Sequence, residues 1–496
     1  MIRPGDPSSL LNADRRSAGL RRLRETGTTE VLVVGGGITG VGVALDAAAR
    51  GMQVTLVERH DLAHGTSRWS SKLIHGGLRY LATGHVDVAL ESAKERHLLI
   101  TKIAPHLIRA LPTLIPNYGG VDPYVSYAGL VAGDVLRKLS GTKRDVLPRA
   151  RFVNASTALN MCPALRPDGL KGGIVGWDGQ VEDDARLVVA VARTAAAYGA
   201  DILTHVDAIS LGDGHATLRD EDGEFVITAE HIITCTGVWT QELNPDIALS
   251  PSRGTHLVVK SERLGNPTAC MTVAIPGEFG RFVFAIPEPE GITYVGLTDL
   301  PTDSLQPDPP EPTADELVWL RERISAALAI PLREEDVIGT YSGLRPLVSD
   351  AHAKTADISR RHLIARQPNN VIAVTGGKLT TYRKMAEEAV DLISSRPCPT
   401  AGITLVGAPG DSRSRDRLTR RFGSEASLLK DVIDRDPELG ELVEGTAALK
   451  VEVLWARQAE GALDSAEAAD TRLRVTMEHA RRKSANAAVA RIWSCA

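Results

Sequence analysis

Residues Val31–Glu58 read VLVVGGGITGVGVALDAAARGMQVTLVE, and this stretch decides the fold. Val31 to Val34 are apolar and mostly β-branched, as a strand buried on both faces requires. The chain then turns through Gly35, Gly37 and Gly40 in the spacing G-x-G-x-x-G. Val41, Ala44, Leu45 and Ala48 recur at helical spacing, Gly51 stands where a helix C-terminal glycine is expected, and Gln53 to Val57 reads as a second strand. The three glycines serve different ends, since Gly35 makes the tight turn, Gly37 admits a pyrophosphate to the backbone, and Gly40 lets helix and strand pack closely. The helix N-terminus offers unpaired N–H groups to the phosphates, and Glu58 is placed to accept from a ribose hydroxyl. A carboxylate there argues against a 2'-phosphate. The unit by itself does not separate FAD from NAD.

At 496 residues the chain exceeds one ordinary core, so two or three domains are expected. Its 43% hydrophobic and 24% charged residues describe a globular enzyme, and a net charge of -5 gives no sign of nucleic-acid binding. The five cysteines (Cys162, Cys235, Cys270, Cys398, Cys495) form no close pair, which fits a reducing compartment without a disulfide frame or a zinc site; no metal site is read. No run reaches the roughly 18 apolar residues of a membrane span, and the N-terminus lacks a signal peptide's apolar core, so a cytoplasmic or membrane-peripheral location is expected. Met1 to Thr28 reads as an N-terminal extension with a solvated, arginine-rich helix.

Beyond the fingerprint, His64 to Leu81 (HGTSRWSSKLIHGGLRYL) is too dense in hydroxyls and glycines for a regular core element. Thr66, Ser67, Ser70 and Ser71 are candidates to hydrogen-bond phosphate oxygens, and Gly76 and Gly77 permit close approach of a flat ring. The string SSKLIHGGLRYL (Ser70–Leu81), together with TYSGLRPL (Thr340–Leu347) and GGKLTTYRKMAE (Gly376–Glu387), resembles the FAD-dependent glycerol-3-phosphate dehydrogenase family. With the fingerprint, these motifs span the chain from about Val31 to Val390.

The resemblance implies FAD as cofactor and sn-glycerol 3-phosphate as substrate, oxidised to dihydroxyacetone phosphate by hydride transfer from C2 to flavin N5. It also implies electrons passed to a membrane quinone. An oxidase making hydrogen peroxide, and a FAD-bound scaffold without this activity, are the alternatives. A phosphate monoester needs guanidinium forks or several N–H donors. Arg345 is the matching phosphate-side arginine, with Arg360 (in DISRRH) and Arg79 in weaker or neighbouring matches. His256, in RGTHLVV, matches a family active-site position and suits a general base, since imidazole titrates near neutrality. His75 competes for that role or sits against the flavin. Lys378 is placed to stabilise negative charge on the substrate oxygen or flavin.

The remaining text supplies the architecture. Asp87 to Pro105 reads as a charged helix with a solvated face. Tyr124 to Arg144 joins an apolar stripe to a basic end, the pattern of an ordinary amphipathic helix or of one lying on an anionic membrane surface. In Glu182-Asp183-Asp184 the acids suit a helix N-terminus. HIITCTGVW (His231–Trp239) is a buried strand running into Gly237, which returns the chain to the nucleotide. Gly376, Gly377 and Lys378 form a second glycine-rich turn opening a helix, suited to the negative charge of a reduced flavin.

The expectation is an α/β protein whose Rossmann-like FAD-binding domain is discontinuous (29–115, 165–250 and 336–395). A mixed-sheet substrate or cap domain is inserted (116–164 and 251–335), and a helical domain follows (405–496). The sequence leaves room for a homodimer.

Overall fold

The computed structural model describes residues 2–77, 84–119, 122–278, 280–306, 308–349, 362–474 and 482–495. The fingerprint folds as its text requires: strand Thr28–Val34, helix Ile38–Ala49, strand Val54–Glu58. Thr28–Val34 lies centrally, paired in parallel with Val54–Glu58 on one side and Gly223–Thr234 on the other. Asp201–Thr204 extends the parallel sheet at one end and Ile372–Gly376 at the other, where antiparallel His362–Arg366 closes it. The fingerprint helix is buried along nearly its whole length because helices Asp184–Ala197 and Tyr382–Asp391 pack against it.

A second sheet is built mainly from antiparallel pairs: Ser252–Lys260, Ile292–Gly296, Phe282–Pro287, Cys270–Ala274, Ile108–Asn117, Gly172–Val181 and Val337–Arg345. It has its own core, including Leu114, Val175, Leu257, Val283 and Val295. Four of its strands, Leu73–Ile74, Ile108–Asn117, Gly172–Val181 and Val337–Arg345, fall wholly or mostly in segments that the sequence assigned to the nucleotide domain. A strand's own text shows its period, whereas its sheet is decided by the partners it pairs with.

Other expectations change once side chains are placed. The N-terminal helix, Ala13–Thr26, is docked rather than solvated: Leu20 and Leu23 join a core with Leu203 and Val206, and Arg16 Nε donates to the Thr204 carbonyl at 2.7 Å. The charged helix Val86–Leu98 turns Glu95 and Arg96 inward, where Glu95 pairs with Arg383 at 2.6 Å and Arg96 with Asp178 at 2.6 Å. Charge count alone could not reveal this, because a buried pair and a solvated pair use the same residues.

The C-terminal helices (Arg417–Phe422, Ala426–Arg435, Lys450–Ala459 and Arg482–Cys495) attach through ions. Arg186 pairs with Glu460 at 2.6 Å and Arg193 with Glu425 at 2.7 Å, both from the buried helix Asp184–Ala197. The acidic run before that helix divides its work. Asp183 caps it by accepting from Arg186 N and also binds Arg421 at 2.8 Å, Glu182 binds Arg109 and Arg420, and Asp184 binds Lys72 at 2.8 Å. Burial opposes ionisation of Glu182 and Asp183, but the surrounding arginines prevail and hold both below the ordinary carboxylate value.

Candidate functional site

The nucleotide-binding turn is shaped by close backbone approach. Gly35 has φ of +113°, and a Cβ there would lie 2.6 Å from the Cys235 carbonyl oxygen. A Cβ on Gly40 would lie 1.9 Å from the Gly35 carbonyl oxygen, so helix and turn touch as the spacing required. Gly37 begins the helix without a side-chain cap, and Ser67 Oγ accepts from Ile38 N at 2.9 Å. Glu58 accepts from Gly36 N at 2.5 Å and His60 N at 2.8 Å. Burial pushes its carboxyl upward, against the pull of those two donors. Gly237 follows the strand Gly223–Thr234 with φ of +55°, and the neighbouring Thr236 hydroxyl is buried with no hydrogen-bond partner among the described residues. Gly376 and Gly377, both at positive φ, end the strand Ile372–Gly376, and Lys378 opens the turn Leu379–Thr381 before the helix.

The other hydroxyls of the predicted set point elsewhere. Thr66 donates to the Leu344 carbonyl at 2.6 Å, fastening the turn Thr66–Arg68 to the strand Val337–Arg345. Ser71 Oγ is 2.8 Å from His256 Nε2. His75 Nδ1 lies 3.1 Å from Asp178 Oδ2, and Gly76 N donates to the same carboxylate at 3.1 Å. Gly77, with φ of +80°, packs against Ala89 in the helix Val86–Leu98. Arg79 and Arg360 lie outside the described residues.

His256 and Arg345 sit on paired antiparallel strands of the second sheet. His256 faces Tyr341 and Ser252 faces Arg345 in the register, so with a period of two all four lie on one face. The imidazole stacks on Tyr341, with centroids 4.5 Å apart, and lies over Gly296, where a Cβ would be 2.1 Å from the ring. The Arg345 guanidinium lies over Gly254 in the same way, with Nη2 2.3 Å from a Cβ position there, and its Nη1 donates to Asp299 at 3.1 Å. Gly254 is one strand repeat, roughly 7 Å, from His256. The turns Thr66–Arg68 and Gly237–Trp239 both pack against the Arg345 strand, and Gly237–Trp239 also touches Ile372–Gly376. The two sheets therefore bring the fingerprint, the second glycine turn and the His256–Arg345 face to one seam.

His256 is buried, and burial followed by the charges of Lys72 and Arg345 holds it well below the ordinary imidazole value. It is therefore held in the neutral form at neutral pH. Its Nδ1 has no partner among the described residues.

Sequence reasoning passed over four contributors. Lys72, fully buried, donates to Asp184 at 2.8 Å and to the Arg68 carbonyl at 2.8 Å, and its ammonium lies 5.1 Å from the Tyr341 ring centroid. Tyr341 stood inside the quoted motif. Gly254 and Gly296 carried a usable signal, since glycine inside a strand marks a place where another group comes close.

Buried neutral imidazoles set a stability trend with pH. Burial pushes His106 down to about 3 and also depresses His256, so below about pH 6.5 the unfolded chain binds protons that the folded chain refuses. Stability is expected to fall by about 1.4 kcal/mol per histidine per pH unit below 6.5. Carboxylates such as Asp178, drawn down to about 2 by Arg96 and His75 in spite of burial, add their loss only below about pH 4. Denaturant midpoints between pH 7 and pH 5 check this: His106→Gln should flatten the decline, and an unchanged slope would assign it elsewhere.

A family model described as FAD dependent oxidoreductase matches residues 30–392. The chain is 45% identical, over 94% of its length and 95% of the relative's, to glycerol-3-phosphate dehydrogenase 1 of Mycobacterium tuberculosis. Among solved structures, the glycerol-3-phosphate dehydrogenase from Bacillus halodurans complexed with FAD superposes with a TM-score of 0.72 at 26% identity, covering 93% of this chain and 89% of that one. L-alpha-glycerophosphate oxidase from Mycoplasma pneumoniae with FAD bound shares the fold, with a TM-score of 0.57 at 20% identity, covering 77% of this chain and 97% of that one.

Proposed function

We propose, for a chain that belongs to the FAD-dependent oxidoreductase family and within it to the glycerol-3-phosphate dehydrogenases, the oxidation of sn-glycerol 3-phosphate to dihydroxyacetone phosphate with a quinone as electron acceptor. The observation that carries the substrate is the arrangement on one sheet face. A buried neutral imidazole over Gly296 and a guanidinium over Gly254 share one face of the paired strands, which suits a C2 hydroxyl and a phosphate on C3.

The residues present fit FAD. Gly37 brings no side chain of its own to the helix start where a pyrophosphate would lie, Glu58 follows at the place of a ribose acceptor, and the unpartnered Thr236 hydroxyl lies at the strand end beside Gly237. FAD held there supplies the acceptor for the hydride leaving C2. His256 takes the proton of the C2 hydroxyl through a ring nitrogen, and Ser71 and the Tyr341 ring hold the imidazole in place. Arg345 anchors the phosphate in competition with Asp299, which keeps the guanidinium aimed when substrate is absent. Lys378, the residue that opens the turn Leu379–Thr381, stabilises negative charge as the hydroxyl is deprotonated in this reading.

An anaerobic titration tests the reading. Glycerol 3-phosphate should bleach the visible flavin absorbance of the purified protein, and a flavin spectrum left intact would sink the substrate assignment. Arg345→Ala should raise the Michaelis constant and lower kcat/KM by about 10- to 100-fold while FAD stays bound, since a charge-assisted contact of roughly 1.5 to 3 kcal/mol is lost. An unchanged Michaelis constant would remove Arg345 from the phosphate.

A quinone acceptor calls for contact with lipid. Among the described residues no helix is long and apolar enough to cross a membrane. Helix Asp122–Leu139 instead leaves Tyr124, Val125, Val131, Val135 and Leu139 exposed, with Lys138, Lys143 and Arg144 exposed around its end. Arg137 turns inward to donate to the Thr142 carbonyl at 2.6 Å, so the basic end is smaller than its text suggested. Each surface cation adds about 1 kcal/mol of attraction to an anionic leaflet. Vesicles rich in phosphatidylglycerol should sediment the protein, and the triple variant K138E/K143E/R144E should lose at least about 10-fold in that affinity. Equal binding of wild type and variant would move the lipid contact elsewhere.

A further inference from the structure

Two histidines follow the acid of the nucleotide fingerprint, in the text Glu58-Arg-His-Asp-Leu-Ala-His64, and neither takes part in the reaction proposed above. The structure brings them to a third ligand type. One donor atom each from His60, His64 and Asp308 lie within 4.8 Å of one another. His64 Nε2 is 3.1 Å from Asp308 Oδ2, across 244 residues of sequence, and the imidazoles of His60 and His64 lie with centroids 4.1 Å apart. We propose that these three side chains form a binding site for a divalent transition-metal ion of the zinc type.

The donor set decides the class of ion. Two imidazoles and one carboxylate suit Zn(II), Co(II) or Ni(II), whereas Mg(II) and Ca(II) take oxygen ligands. Tetrahedral bonds of roughly 2.0 to 2.2 Å place neighbouring donors about 3.4 Å apart, so the three groups need only a modest side-chain adjustment to converge. The two rings are tilted by 26°, and because an imidazole lone pair lies in the ring plane, that adjustment is a fanning of the rings about their side-chain torsions. All three residues reach solvent, so water can take the fourth position. The nearest cations do not forbid an ion: Arg59 is matched by Asp207 and Glu242, and Arg68 by Asp470.

The position gives such an ion a consequence. His60 N donates to Glu58 Oε1, so the histidine loop is continuous with the carboxylate at the ribose position. Asp308 belongs to the stretch between the strand Leu300–Pro301 and the helix Ala314–Ser325, which packs on the second sheet. An ion bound by all three would tie that stretch to the nucleotide-binding loop across the seam.

Calorimetric titration of chelator-treated, FAD-bound protein with Zn(II), read beside Co(II) absorption, tests the site. One ion per chain is expected at micromolar or tighter affinity, with a tetrahedral Co(II) spectrum. H64A and D308N should each weaken binding at least 10-fold. Asp308 is a loop residue, so D308N keeps the test open if the histidine variant fails to fold. A wild type that binds no ion below millimolar concentration, or an unchanged affinity in a folded variant, would overturn the proposal, because other histidines and cysteines would then account for any uptake.

Discussion

His256→Ala is expected to lower kcat for glycerol 3-phosphate by roughly 100- to 10,000-fold, the range for loss of a positioned general base, with FAD retained and the Michaelis constant little changed. The expectation rests on where the imidazole stands. It is buried, stacked on Tyr341 and hydrogen-bonded to Ser71, and burial together with Lys72 and Arg345 keeps it unprotonated at neutral pH. Removing it takes away the proposed proton acceptor and leaves the Arg345 guanidinium in place. Stopped-flow reduction of the flavin under anaerobic conditions reads this step before any electron acceptor is involved. Reduction at the wild-type rate would exclude His256 as the base and turn attention to His75, which sits on Asp178 with about half its side chain exposed.

Lys72→Met should have the largest effect on stability, about 3 to 5 kcal/mol, because it strands a carboxylate in the interior. Both side chains of the Lys72–Asp184 pair are fully buried. Asp184 would retain the Ser70 amide and hydroxyl, at 3.0 and 2.7 Å, as donors but would lose its counter-charge. Removing both charges in K72M/D184L should restore most of the loss, since an apolar replacement of a buried pair is often close to neutral. Denaturant midpoints of the three proteins decide it. A single variant within about 1 kcal/mol of wild type would mean that the Asp184 carboxylate does not depend on Lys72 for its place in the interior. Lys72 also contributes to the depression of His256, so K72M should raise the apparent pKa of the imidazole.

The sequence by itself determined the nucleotide unit, because everything needed there is local. A glycine spacing, a strand's β-branched run and a helix's period are written in consecutive residues, and Thr28–Glu58 folded as its text requires. The three motif strings were equally legible as a family likeness, and they carried FAD and the enzyme class. Only the tertiary structure decided what lies against what. That Ser71 serves His256, that Thr66 holds Leu344, and that the acids Glu182 to Asp184 bind cations from distant parts of the chain all follow from pairings across more than 70 residues. Hydroxyls and charges read the same in either setting. A serine has no period that says which oxygen or nitrogen it will meet, and a glutamate in a helix carries no mark of burial until a guanidinium arrives to offset its desolvation.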